Sequence, residues 1–141
     1  MLIGEYYHNL DAKGRVSVPS KFRDDLGSTF VLSRGLDDCL YAYSVSEWET
    51  FKAELLTMRG SSAQKIRRFF FSGATECEID SQGRVVIPPN FRTYAKLSKE
   101  IVIVGVSNRA EIWDKKKWED YISDASFDSS EIAKAMDEMG F

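Results

Sequence analysis

Two segments carry the residues with the clearest chemical potential: Asp11-Ala12-Lys13-Gly14-Arg15-Val16-Ser17-Val18-Pro19 and Asp80-Ser81-Gln82-Gly83-Arg84-Val85-Val86-Ile87-Pro88. In each, an Asp stands four residues before an Arg, with Gly between them. An Asp at the head of a turn accepts hydrogen bonds from the amides that follow it. Gly permits the positive φ of a tight reversal. The Arg then leaves the turn at the tip of a hairpin. Its guanidinium can donate two parallel bonds to a phosphate or to the O6 and N7 edge of guanine. A single Asp-x-x-Gly-Arg describes equally well a charged turn whose Arg pairs with its own Asp. Two copies in register, each followed by apolar-x-apolar-Pro, point instead to a pair of equivalent binding arms.

Other cations are candidates for a supporting role. Lys13 lies inside the first turn. Lys21, Arg23 and Arg92 follow the Pro residues. All four suit phosphate contacts, which position a protein on a duplex without reading its sequence. Lys65, Arg67 and Arg68 form a further cluster that a solvated helix face explains about as well. Tyr6, Tyr7 and Phe69 to Phe71 could stack on bases, but core or interface packing accounts for them better. No catalytic set emerges. His8, the only histidine, has no triad partner, and no Gly-rich phosphate loop opens a helix. Cys39 and Cys77 are too far apart for a paired-cysteine motif, and with His8 they fall one short of a closed zinc site. We therefore expect no catalytic residues, no cofactor, no metal and no small-molecule substrate. Both cysteines are expected to be buried as small hydrophobes.

These arms need a scaffold, and the chain supplies it twice. Residues 4–23 match residues 73–92 at an offset of 69, with Gly, Asp, Gly-Arg-Val, Pro and Phe-Arg recurring in register. After a one-residue slip, Gly35 matches Gly105, Tyr43 matches Trp113, Trp48 matches Trp118 and Phe51 matches Tyr121. A duplicated unit follows, over 4–52 and 73–122, joined by a helical connector at 53–72 and followed by an acidic, helical tail at 123–141. In the first unit the pattern predicts strands at 5–10 and 15–18, a helix from Ser20 to Leu26, strands at 29–33 and 40–43, and a helix from about Ser46. The second predicts strands at 101–106 and 110–113 and a helix near 115–123. Residues 62–71 and 128–138 also have helical patterns. Four short strands leave edges exposed, so two units are expected to interleave as a pseudo-dimer within one chain.

Composition is compatible with this reading. Of 141 residues, 43% are hydrophobic and 13% aromatic, enough for a packed core. The net charge of −3 is unevenly spread: residues 1–110 carry 15 Lys and Arg against 13 Asp and Glu, and residues 111–141 carry 4 against 9. The acidity sits at the C-terminal end, which leaves the basic clusters elsewhere free to face phosphate. No run approaches the length of a membrane helix, and the first residues lack a signal-peptide pattern. We expect a cytoplasmic protein without membrane contact.

The two Asp-x-x-x-Arg turns, Phe69-Phe70-Phe71-Ser72-Gly73-Ala74 before the second unit and Glu111-Ile112-Trp113 within it together resemble the MraZ family. Its units belong to the AbrB/SpoVT class of swapped-hairpin domains, and the resemblance extends over nearly the whole chain. It implies a mainly β fold with short helices, a duplicated swapped-hairpin, double-split β-barrel. It also implies ring-shaped homo-oligomers and sequence-specific binding of double-stranded DNA in the nucleoid. The implied targets are repeats upstream of the chain's own division and cell-wall gene cluster. Asp11, Arg15, Asp80 and Arg84 inherit the family's DNA-binding signature. Gln82 stands where the first turn has Lys13, so the two arms are expected to grip phosphate unequally. Two rival functions are an AbrB-like antitoxin, which would normally pair one unit with a disordered acidic tail, and a ring-shaped protein-interaction scaffold.

Overall fold

Proline sets the boundaries within the first half of each unit. Pro19 and Pro88 have no N–H to give a strand ladder, and their fixed φ suits the entry to a helix. In the computed structural model, which describes residues 1–141, each of them caps a short helix. The first unit runs β1 (Leu2–Asn9), β2 (Arg15–Ser17), α1 (Ser20–Leu26), β3 (Thr29–Arg34), β4 (Leu40–Ser44) and α2 (Val45–Thr57). After α3 (Ala63–Ser72), the second repeats the order: β5 (Ala74–Glu78), β6 (Arg84–Val86), α4 (Pro89–Tyr94), β7 (Glu100–Ser107), β8 (Ala110–Asp114) and α5 (Lys115–Ile122). A 3-10 turn (Ala125–Phe127) leads to α6 (Ser129–Glu138). α2 and α5 begin at side-chain caps. Ser44 accepts from the Glu47 amide and Asp114 from the Lys117 amide, satisfying donors that a helix start leaves free. No helix is long and apolar enough to cross a membrane.

The sequence suggested a hairpin from β1 through the Asp11 turn to β2. The turn forms, but the two strands do not pair with each other. β1 pairs with β7, and β2 pairs with β6. β5 pairs with β3, and β4 with β8. Every one of these ladders crosses between the units, so the backbone groups of one unit are satisfied by the other. The result is an open antiparallel six-stranded sheet in the order β1-β7-β8-β4-β3-β5, with β2 and β6 as a separate two-stranded ribbon. The registers reveal a pseudo-twofold axis. Val16 faces its own repeat counterpart Val85, and Tyr41 faces its counterpart Glu111.

One sequence match is corrected. Gly35 is not the structural counterpart of Gly105. Ser33 lies opposite Ala74 as Val104 lies opposite Glu5, which places Arg34 in the position of Gly105. Two residues are inserted in the second unit between α4 and β7, and one is lost from the following turn. The net slip of one residue concealed both changes.

The sheet has two dissimilar faces. Alternate residues such as Phe30, Leu32, Leu40, Ile101 and Ile103 form an aliphatic core with Val16, Val85, Phe22 and Phe91 from the ribbon and α1 and α4. On the opposite face, Tyr41, Tyr43, Val102, Val104 and Trp113 join an aromatic core with α2, α3 and α5. Phe51 stacks on Tyr43 with ring centroids 5.2 Å apart, and Phe70 meets Phe51 edge-on at 5.1 Å. The aromatic residues expected to pack rather than to stack on bases are largely core: Tyr6 packs edge-on against Phe22, while Tyr7 remains exposed. Cys39 and Cys77 are buried and unbridged, and burial pushes the Cys77 thiol up to about 11.

Gly105 sits where β1 crosses β7, paired with Gly4. A Cβ there would collide with the backbone of Leu2 and Ile3, which cannot move as a side-chain tip could. Gly105→Ala should therefore destabilise the fold by about 1–3 kcal/mol, measured by urea unfolding. Hydrogen exchange should accelerate first in β1. Unchanged stability would show that β1 has room to shift.

Candidate nucleic-acid interface

The two turns are near copies. In the first, Asp11 Oδ1 accepts from the amides of Lys13 and Arg15, both at 2.9 Å, and the Asp11 carbonyl accepts from the Gly14 amide at 3.0 Å. In the second, Asp80 Oδ1 accepts from the amides of Gln82 and Arg84, both at 2.9 Å, and its carbonyl from the Gly83 amide at 3.0 Å. Gly14 and Gly83 adopt φ +76 and +77, the left-handed region that favours glycine. These bonds favour the charged carboxylates. The Arg15 amide is the largest contributor at Asp11, with the Arg15 guanidinium and the Lys13 amide adding to it, and the pKa falls from 3.8 to about 2. At Asp80 the shift is also downward, led by the Arg84 amide.

Each turn is completed by the other unit. The Gly14 carbonyl accepts from the Ile87 amide and the Gly83 carbonyl from the Val18 amide, both at 2.9 Å. Arg92 lies over Gly14, where a Cβ would come within 2.9 Å of its Cζ, and Arg23 lies over Gly83 in the same way. Glycine is thus required twice at each turn, for backbone conformation and for space. Arg23 Nε donates to the Val18 carbonyl at 3.0 Å. Arg92 Nε is buried without a partner.

The ribbon sorts its residues by pleat. Val16 and Val85 point into the core, so Arg15, Ser17, Arg84 and Val86 share the outward face. Arg15 and Arg84 are diagonal neighbours across the ladder, about 7–8 Å apart. Arg15 Nε donates to Asp11 Oδ2 at 2.7 Å. Arg84 Nε lies 3.4 Å from Asp80 Oδ2, close enough for an ion pair but not aligned for a hydrogen bond. In both, the terminal Nη groups make no hydrogen bond within the chain.

Of the eight candidate residues, seven come together around the ribbon: Asp11, Lys13, Arg15, Arg23, Asp80, Arg84 and Arg92. Lys21 stands apart, exposed on α1 beside Met1, Ile3, Gly4 and Tyr6 at the other end of β1. Lys13, Lys21, Arg23 and Arg92 form no ion pair. An open cleft of about 880 Å³ adjoins the first turn, lined by Asp11, Arg92, Lys96 and Lys99 among others. Lys96 and Lys99 lie outside every motif that the sequence marks. The insertion after α4 brings them there, and only the misaligned slip could have signalled it. Lys65 and Arg68 project from α3, and Arg67 is occupied by the Leu55, Leu56 and Met58 carbonyls.

Comparison with known sequences agrees with this internal duplication. The family described as "MraZ protein, putative antitoxin-like" matches the chain twice, over residues 1–69 and 70–139. Proteins named transcriptional regulator MraZ are similar over their full length. Those of Alkaliphilus metalliredigens, Halothermothrix orenii and Alkaliphilus oremlandii are 49%, 50% and 52% identical, each covering 99% of both chains.

The depressed carboxylates generate a test. Their contribution to stability is complete above the ordinary pKa of 3.8 and is lost as pH falls toward about 2 for Asp11. Asp11→Ala should lower stability at neutral pH, because the amides of Lys13 and Arg15 lose their acceptor. Asp11→Asn, which keeps an acceptor for the amides, should cost less. Thermal melting across an acid titration checks both. Equal losses for Asn and Ala would mean that the charge pairing with Arg15 outweighs the amide bonds.

Proposed function

Because the chain belongs to the MraZ family, we propose that it is a transcriptional regulator that binds double-stranded DNA sequence-specifically through the β2–β6 ribbon. The observation that carries this reading is the presentation of Arg15 and Arg84 on one outward, pseudo-symmetric face. A two-stranded β-ribbon fits the major groove of B-DNA. A groove read across a local dyad suits two equivalent arginines. The Nη groups left free in both can donate two bonds to guanine O6 and N7. Asp11 and Asp80 hold the turns. Lys13, Arg23 and Arg92, with Lys21 further out, would meet phosphates, and the absence of carboxylate partners leaves their charge available.

In this reading, residues 4–52 and 73–122 are the two AbrB/SpoVT-type units, 53–72 the connector and 123–141 an appendage. The exchange of strands between units is what a swapped-hairpin, double-split barrel requires. The protein acts in the cytoplasm, on the nucleoid, and assembles into rings. Repeated DNA sites upstream of its own division and cell-wall gene cluster would engage several protomers at once. One protomer offers few free cations, and avidity on a ring multiplies them.

Arg15→Ala and Arg84→Ala should stay folded, since neither side chain enters the core. Each should lose about 1–3 kcal/mol of discrimination between operator and scrambled duplex. Lys21→Ala should weaken both duplexes together and flatten the salt dependence. Titration of the chain's own upstream region and its scrambled form at several salt concentrations, with thermal melting as control, distinguishes these outcomes. Folded Arg variants that keep full discrimination would assign the turns a structural role and place the reading surface elsewhere.

A further inference from the structure

The outward face of the ribbon holds four side chains in two cross-strand pairs, Arg15 with Val86 and Arg84 with Ser17. The pseudo-twofold axis exchanges these pairs. It relates Arg15 to Arg84 and Ser17 to Val86, so the face departs from symmetry in residue type only where serine meets valine. Both positions alternate with buried residues, Ser17 with Val16 and Val18, Val86 with Val85 and Ile87. Ser17 is half-buried, whereas Val86 is 51% exposed. The first unit builds the same strand with serine, so the ribbon does not require an apolar group at this place. Val86 leaves its methyl groups in water, opposite an arginine whose Nη groups are free.

An arginine beside an exposed apolar side chain can read neighbouring base pairs in different ways. Opposed residues of a ladder hold their Cβ atoms about 4.5–5.5 Å apart, and base pairs follow one another at about 3.4 Å. A guanidinium seated on the O6 and N7 edge of guanine therefore brings its cross-strand neighbour over an adjacent base pair. The major-groove group that an apolar side chain recognises is the 5-methyl of thymine, and contact between them removes both from water. Ser17, beside Arg84, offers instead a hydroxyl that donates or accepts at any base pair.

The cations gather at the same end of the ribbon. Lys13 corresponds to Gln82 of the other turn. The Leu10 amide donates to the Lys99 carbonyl as the Ile79 amide does to that of Ser28, both at 2.8 Å, so Lys99 corresponds to Ser28. Thr93, beside the first turn, corresponds to Asp24. Glu100 and Glu78 balance each other, since each closes the ladder before its turn, opposite Asn9 and Thr29. Lys96 is held by Asp38. The end with Arg15 and Val86 is thus the more positive, and phosphate draws it in more strongly.

We propose that Val86 is a specificity-determining residue, packing on the 5-methyl of a thymine next to the guanine bound by Arg15. The Arg15–Val86 half of the ribbon then reads a guanine and a thymine, whereas the Arg84–Ser17 half reads its guanine without a methyl. This inequality sets the direction of a protomer on its site. The inference rests on the DNA-binding reading of the ribbon proposed above and adds to it a base contact that neither turn supplies.

The test titrates the full-length protein with duplexes of the chain's own upstream region in which thymines are replaced one at a time by deoxyuridine. The replacement removes the methyl and keeps the base pairing. With the wild-type protein, at least one replacement should weaken binding about fourfold, the worth of one buried methyl group. Val86→Ser should lose about as much on the unmodified duplex and become insensitive to deoxyuridine at that position. Val86→Thr, which keeps one methyl, should retain part of the sensitivity. Thermal melting checks that the variants fold, and the deoxyuridine series on the wild-type protein needs no variant. No loss from any deoxyuridine, or losses that Val86→Ser leaves unchanged, would overturn the role of Val86 while the arginine contacts stand. A wild-type protein that binds the upstream and scrambled duplexes alike would overturn the ribbon reading itself, and this inference with it.

Discussion

A three-residue strand with nothing beside it has no means of satisfying its own backbone. This is the condition of β2 and β6, and the rest of the architecture answers it. Neither ribbon strand has a partner within its own unit, so each must use the other. The Gly14 and Gly83 carbonyls extend the exchange beyond the three paired residues by accepting from Ile87 and Val18. Once the ribbon crosses between units, β1 and β5, which feed it, are carried to the far units as well. They become edges of a sheet whose middle is β7, β8, β4 and β3. The units cannot separate without exposing polar backbone on every strand, which is why the duplication behaves as one fold.

The two cores divide the work. The aliphatic face under the ribbon is built from Val, Ile, Leu and Phe side chains of fixed shape, and it holds the base of the ribbon through Val16 and Val85. The aromatic face is held by edge-on and stacked rings and by a polar cluster near the pseudo-twofold axis. There Glu111 accepts from Arg109 at 2.7 Å and from the Trp113 indole at 3.0 Å, and the Arg109 guanidinium sits 4.1 Å from the Tyr41 ring. A carboxylate so deeply placed requires such partners, because an unpaired buried charge costs several kcal/mol. A rigid ribbon on one side is thereby separated from the helical layer on the other, and changes in one need not distort the other.

Much of this was legible in the sequence because it depends on local chemistry. The turns follow from Asp, Gly and Arg spacing. The ends of β2 and β6 follow from proline, and α1 ends at Gly27 as its φ of +83 requires. The bare edges of a single unit implied that the two interleave, but which strand meets which depends on pairing across distance. A strand returning from a tight turn is ordinarily a hairpin, and nothing local distinguishes that from exchange with a counterpart far along the chain. The match of Gly35 with Gly105 misled for a related reason: an insertion and a deletion nearly cancelled, so alignment preserved residue type while structure preserved register. Arg23 and Arg92 were legible as cations, but their seats over Gly83 and Gly14 required the second unit in place.

The pairing of each Arg with its own Asp bears on whether the turns are structural or, as proposed above, also bind DNA, and the geometry is compatible with both at once. An arginine free in solvent carries rotamer entropy that must be lost on binding. One fixed by its own carboxylate has lost part of it in advance. The bond from Arg15 uses Nε, which orients the guanidinium plane and leaves both Nη groups unengaged. The carboxylate has little tendency to protonate and release it, since backbone amides hold its charge. Arg84, within ion-pair distance but without the aligned bond, is held less tightly. The second arm also has Gln82 in place of Lys13, so it combines a looser guanidinium with one fewer cation. Pseudo-symmetry in the backbone thus coexists with a graded pair of side chains, a difference that can give orientation to a complex on an otherwise symmetric groove.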